Sequence, residues 1–265
     1  MTATERFRTG TTTLEYARLG TGDGPAVCML HGLGARWQTF RPLVRGLGPG
    51  WNIFAPDLRG HGRSDWVSGG YALADFASDV EQFLDEVVGE PVVLFGHSMG
   101  GWISAMVAGA RPDAVRAVVI VDSALYHLGQ DQRAAMAAYA NPTHAMRSLA
   151  VSLRLADPEL KQRWVEGRNQ REQDPDAMLA RLRCPVLLVQ GDQEAGGLMT
   201  DDHVRRALSA LADGHHVFVP GAGHAVHASA PARVAAALHR FVATELGAGE
   251  LGGFAVERAA VETPS

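Results

Sequence analysis

Short continuous apolar runs alternate along this chain with segments whose apolar residues recur every three to four positions. The runs are Ala26 to Leu30, Trp51 to Ala55, Val92 to Phe95, Val115 to Val121, Val186 to Val189 and Val217 to Val219. Strands apolar on both faces belong to a parallel sheet covered by helices on each side. Between them, Leu73 to Val88 carries Leu73, Phe76, Val80, Phe83, Leu84 and Val87 at helical spacing and sets Asp75, Asp79, Glu81 and Asp85 on a face expected to meet water. The alternation predicts an α/β fold with a mostly parallel, doubly wound sheet. Glu5 to Thr9 and Thr12 to Leu19, broken by Gly10, predict an antiparallel hairpin at one edge instead.

Alternation stops after Val121-Asp122-Ser123, where Leu125 to Arg183 hold several helical patterns and no strand before Val186. A helical cap inserted after the sixth strand is expected there, which divides the chain into a core of residues 1–124 and 183–246 and a cap of residues 125–182. Residues 247–265, rich in Gly, Ala and Glu, are expected to form a poorly ordered tail. Within the cap, Met136, Tyr139, Met146, Leu149, Leu153, Trp164 and Met178 are large, adaptable apolar groups that either line a substrate pocket or pack the cap on the body.

Composition narrows the classes. A chain of 265 residues that is 46% hydrophobic suits one domain with a large core. Its formal charge of -5 is spread along the sequence, without the basic stripe that nucleic-acid binding requires. No stretch approaches a membrane span and the first residues lack an apolar leader, so a cytoplasmic protein without a membrane partner is expected. Cys28 and Cys184 lie in or beside apolar runs and read as buried thiols rather than a disulfide. His215-His216 and the His224, His227 pair lack zinc-like spacing, so no metal is expected.

Candidate chemistry centres on Gly96-His97-Ser98-Met99-Gly100, between an apolar run and the helical pattern Gly101 to Ala108. A serine between strand and helix, with glycines two positions to either side, reads as a nucleophile on a strained turn. The glycines are needed because a side chain two positions away would collide with the adjoining strand or helix. The Met99 N–H, at the mouth of the helix, points to where an oxyanion would form.

A serine needs a base, and a base needs an orienting carboxylate. Pro220-Gly221-Ala222-Gly223-His224 follows the run Val217 to Val219 and puts His224 on a loop at the same sheet edge, with His227 as the nearest competitor. Gln190-Gly191-Asp192-Gln193-Glu194 ends the preceding run and offers Asp192 and Glu194.

The order nucleophile, acid, histidine resembles that of the α/β-hydrolase superfamily, in particular its serine esterases and lactonases with helical caps. Four blocks carry the resemblance over residues 12 to 246: His31-Gly32-Leu33-Gly34, Pro56 to Ser64, the turn at Gly96 to Gly100, and Gly221 to His224. The resemblance implies that Leu33 supplies a second oxyanion N–H and that the Asp57 to Ser64 block is a structural turn. It also implies an acid at Glu194, where the family pattern carries aspartate after a glycine. Asp192 stays an alternative, and so does Asp122, because some relatives place the acid after the sixth strand.

The implied activity is cleavage of a small carboxylic ester or lactone through an acyl-enzyme, without a cofactor. Trp37, Phe40 and Trp102 are expected to give the pocket aromatic walls. Hydrolysis of carbon-carbon bonds in ring-cleavage products, cofactor-free haloperoxidase or perhydrolase chemistry, and a non-catalytic small-molecule receptor share the scaffold. Epoxide and haloalkane hydrolases are disfavoured, since their nucleophile is a carboxylate and position 98 is serine. The pattern leaves the oligomeric state open.

Overall fold

The structure is a computed structural model that describes residues 2–126, apart from 21 and 23, and residues 152–247. Among these, eight strands form one sheet: β1 (Thr4–Arg8), β2 (Thr13–Arg18), β3 (Ala26–Leu30), β4 (Asn52–Pro56), β5 (Val92–His97), β6 (Val115–Val121), β7 (Val186–Gly191) and β8 (Gly214–Val219). Their order is β1-β2-β4-β3-β5-β6-β7-β8. The β1–β2 and β2–β4 pairs are antiparallel, and every later pair is parallel. This is the expected doubly wound sheet with an edge hairpin.

The continuous apolar runs became the central strands: β3, β5 and β7 are buried at every position. β8 is longer than its apolar run, because it is the outermost strand and alternates exposed and half-buried positions until Val219. An edge strand has one neighbour, so its first half tolerates His215 and His216, and hydrophobicity alone marks only its end.

Two apolar layers enclose the sheet. On one face α2 (Leu73–Phe83) and α3 (Met99–Ala110) pack with alternate strand residues such as Cys28, Leu94 and Ile120. On the other, α1 (Arg41–Leu47) and the C-terminal helix lie over Val27, Phe95 and Val119. The period of two along each strand makes this division, sending neighbours to opposite layers. Cys28 is buried, Cys184 is half-buried, and both are free thiols.

One expectation for α2 is overturned. Asp79, assigned to the wet face, is only 1% exposed and forms a two-pronged ion pair with the equally buried Arg59, at 2.6 and 2.7 Å. Helical spacing fixes where a side chain points but not what covers it, and here the loop carrying Arg59 lies over α2.

Between β6 and β7 the described chain is helical, with α4 (Pro158–Val165), α5 (Arg168–Arg171) and α6 (Pro175–Leu179). Asp157 caps α4 by accepting from the Glu159 N–H, and its other carboxylate oxygen accepts from Tyr71 Oη–H at 2.6 Å. That bond ties the insertion to the loop before α2. The remaining described helices are α7 (Asp201–Ala210), α8 (Val226–Ser229) and α9 (Pro231–Glu245). Met136, Tyr139, Met146, Leu149 and residues 248–265 of the expected tail lie outside the described residues. No described helix is long and apolar enough to cross a membrane.

Candidate active site

Parallel strands bring their C-terminal ends to one edge, and the loops leaving β3, β5, β6, β7 and β8 meet there. Ser98 sits directly past β5 with φ 53° and ψ -117°, before α3 begins at Met99. From Val92 through Ala105, Ser98 alone is not fully buried. Its N–H donates to the Val121 carbonyl at 3.0 Å, and its carbonyl accepts from Gly101 N–H and Ser123 Oγ–H. The flanking glycines are sterically required: a Cβ on Gly96 would strike the Gly100 carbonyl, and one on Gly100 would strike the Leu30 carbonyl of β3.

Asp122 occupies the matching position past β6, since β5 and β6 pair His97 with Val121. Its carboxylate is fully buried. It accepts the N–H groups of Gly191 at 3.1 Å, Leu198 at 2.8 Å and Met199 at 3.1 Å. Oδ2 also accepts from Nδ1–H of His224 at 2.8 Å. Four donors on two oxygens offset the loss of water around a buried charge. With its proton held at Nδ1, the neutral His224 ring has Nε2 free of hydrogen and able to act as a base.

The carboxylate favoured from sequence therefore does not meet His224. Glu194 is exposed in a short 3-10 turn. Asp192 caps that turn, and its other oxygen accepts the Gly221 N–H at 2.8 Å, bracing the loop that carries His224. Motif register alone placed the acid after β7. The signal for Asp122 was an aspartate directly ending an apolar run beside the run that ends in Ser98.

His227, the competing histidine, is fully buried, and Thr39 Oγ1 lies 2.9 Å from its Nε2. Burial and the nearby His224 push its pKa down to about 3. It is a packed, neutral ring rather than an accessible base.

The loop after β3 is held by two imidazoles. His31 donates Nδ1–H to the Gly32 carbonyl and accepts the Leu58 N–H at Nε2. His61 donates Nδ1–H to the Arg59 carbonyl and accepts the Gly34 N–H at Nε2. Both partners of each ring are main-chain groups, so each tautomer is dictated. Asp57 accepts from the N–H groups of Trp37 and Arg63. The Asp57 to Ser64 block thus shapes the loop at 31–34 from behind. Gly32 lies against the Ser98 turn: a Cβ there would come within 3.0 Å of Ser98 Cβ. Gly34 and Ala35 N–H groups are engaged, whereas the Leu33 N–H has no partner among the described residues. Met99 N–H, at the first position of α3, has no acceptor within its helix.

The expected aromatic walls are mostly core. Phe40 is fully buried between Phe95 and His227, leaving no surface for a ligand. Trp37 packs in the same layer under Arg41, and Trp102 and Trp164 are buried in the opposite layer. Trp102 spends its indole N–H on the Ala124 carbonyl. Asp213, His215 and Glu245 are the group of metal-ligand type found among the described residues, and they sit by the start of β8, at the opposite end of that strand from His224.

Fold and edge geometry define an α/β hydrolase scaffold with Ser98 on a strained strand-to-helix turn. Residues 25–177 match the family model described as the alpha/beta hydrolase fold, and the chain belongs to that family. Lipase LipV of Mycobacterium tuberculosis is 40% identical over 65 residues, 24% of each chain. The (E)-2-((N-methylformamido)methylene)succinate hydrolase of Acinetobacter baylyi is 26% identical over 101 residues, 38% of each chain. The chain spans less than half the length of the curated relatives it matches. The crystal structure of E-2-(acetamidomethylene)succinate hydrolase superposes with a TM-score of 0.79 at 24% identity, covering 91% of this chain and 99% of that one.

Proposed function

We propose that this protein is a serine hydrolase that cleaves a small carboxylic ester or lactone through an acyl-enzyme, with Ser98 as nucleophile, His224 as base and Asp122 as the orienting acid. The observation that carries the reading is the buried Asp122–His224 contact at the edge where Ser98 emerges on its strained turn. Ser98 Oγ attacks the substrate carbonyl while its proton passes to His224 Nε2. The imidazolium so formed is stabilised by the Asp122 carboxylate through Nδ1–H. The N–H groups of Leu33 and Met99 receive the oxyanion, each worth about 3 to 4 kcal/mol of barrier in sites of this type.

Collapse of the tetrahedral intermediate expels the alkoxide, which takes the proton from His224 and leaves as the alcohol, or stays tethered if the substrate was a lactone. Water then gives a proton to His224 and attacks the acyl-enzyme, releasing the acid and restoring Ser98 Oγ–H. These steps use the side chains named and water.

A panel of nitrophenyl esters, lactones, thioesters and vinylogous diketones, run on wild type and Ser98→Ala in parallel, tests the reading. Turnover of esters or lactones, and labelling by a fluorophosphonate that S98A abolishes, is the expected result. Turnover retained by S98A overturns it, and cleavage confined to the diketones reassigns the reaction to carbon-carbon bonds.

A further inference from the structure

His97, the residue before Ser98, lies against both the loop of His224 and the loop after β3. Its Nε2–H donates to the main-chain carbonyl of His224 at 2.9 Å, and the two rings lie 4.7 Å apart. A Cβ on Gly32, in the oxyanion loop, would stand 2.9 Å from its Nδ1. The His227 ring packs 4.4 Å away and is itself anchored on Thr39 Oγ1. His97 is 4% exposed, so this bond does not compete with water.

The loop it grips is braced at its start, where Asp192 accepts the Gly221 N–H and donates its own N–H to the Ala222 carbonyl. Two glycines, Gly221 with φ 73° and Gly223, precede His224. Asp122 fixes the His224 ring through its side chain, but a ring can keep that bond while its backbone slides. We propose that His97 is a positioning residue that, through its Nε2–H bond to the His224 carbonyl, sets the distance between the base and the serine next to it in the chain. The inference rests on the reading of Ser98 and His224 as nucleophile and base. One rigid ring then links two catalytic segments that lie far apart in sequence, with His227 and Thr39 backing it. Burial keeps His97 and His227 neutral.

Two substitutions separate a positioning donor from a space-filler. Glutamine at this position can present an amide N–H near the Nε2 site, whereas methionine fills similar volume without a donor. H97M is expected to lower both kcat and the rate of fluorophosphonate labelling by about tenfold to a hundredfold, with KM changed by less than about twofold. H97Q restores the rate to within about threefold of wild type at a similar Tm. Equal losses in H97Q and H97M, or labelling of H97M at the wild-type rate, overturn the proposal. If H97M does not fold, H97N replaces it, because its amide is too short to reach the carbonyl and its rate must fall in the same way. If wild type is neither labelled nor active, the nucleophile reading has failed instead. The proton NMR resonance of His224 Nδ1–H then decides the positioning role without turnover: displaced in H97M but not in H97Q, it supports the tether, and unmoved in both, it overturns it.

Discussion

Ser98 and Asp122 stand at matching positions past neighbouring parallel strands, and among the described residues they are the two non-glycine residues with positive φ, 53° and 42°. Such conformations cost about 1 to 3 kcal/mol each and persist where surrounding bonds over-determine them. Here the Ser98 carbonyl is held by Gly101 and Ser123, and the Asp122 carboxylate by the N–H groups of Gly191 at the end of β7 and of Leu198 and Met199 beyond it. Both residues leave their strands with a positive φ, and for Asp122 this turns the side chain at the sheet edge onto His224.

If Asp122 orients His224, replacing it with asparagine keeps the shape but presents the wrong hydrogen-bond character to Nδ1. D122N is expected to lower kcat by about 10⁴-fold, as the loss of the correct tautomer does in serine hydrolases. E194Q, altering an exposed side chain, should stay within about twofold of wild type. D192N weakens the brace on Gly221 and should cost stability more than rate. Steady-state kinetics on one ester checks all three; a large kcat loss in E194Q with little in D122N would return the acid to the β7 loop.

Much of this edge was legible in the sequence because its steric demands are local. A turn at Ser98 needs glycines beside it, and a strand buried on both faces needs an unbroken apolar run. The partner of His224 was not legible in that way, because it is chosen across 102 residues by which strand end lies beside which loop. Glu194 and Asp192 sat in the right motif register, and only the three-dimensional course of the chain shows one exposed and the other spent on Gly221. Asp79 fails for a related reason: helical spacing gives direction, and the covering loop with Arg59 comes from elsewhere.

Four buried histidines make stability depend on pH. Burial is the largest cause in each: it holds His61 down to about 4 and His227 to about 3, and keeps His31 and His97 well below the ordinary value. In the unfolded chain each titrates near 6.5. As pH falls through 6.5 the unfolded state gains protons that the folded state refuses, so stability drops until the folded values are reached. Each ring contributes up to about 1.4 kcal/mol per pH unit in that window. Asp57 acts in the opposite sense. Its burial raises the carboxyl to about 6 from 3.8, so the folded state binds a proton between those values and offsets one histidine. The urea midpoint should fall from pH 6.5 to 4.5, and less steeply in H61Q. A midpoint level down to pH 5 contradicts this account.

Arg59 and Asp79 pair where water does not reach, with Arg59 also donating to Thr11 Oγ1 and the Gly70 carbonyl. Removing one partner strands the other charge in the core. D79A should lose about 3 to 5 kcal/mol in urea unfolding at pH 7, while kcat per folded molecule stays within about twofold. A loss below about 1 kcal/mol would mean that water enters and solvates Arg59.

Gly32 offers the sharpest steric test of the edge, because the first atom of any side chain there meets two things at once. A Cβ would stand 2.9 Å from His97 Nδ1 and 3.0 Å from Ser98 Cβ, neither of which is the free end of a flexible chain. His97 is tied to the His224 carbonyl and Ser98 is fixed between β5 and α3, so the loop after β3 itself must retreat. In the proposed mechanism, retreat carries the Leu33 N–H away from the reacting carbonyl and weakens a donor needed most in the transition state. G32A should therefore lower kcat by about 10² to 10³-fold with KM little changed. Retained kcat in a variant that still folds would place the second oxyanion donor elsewhere.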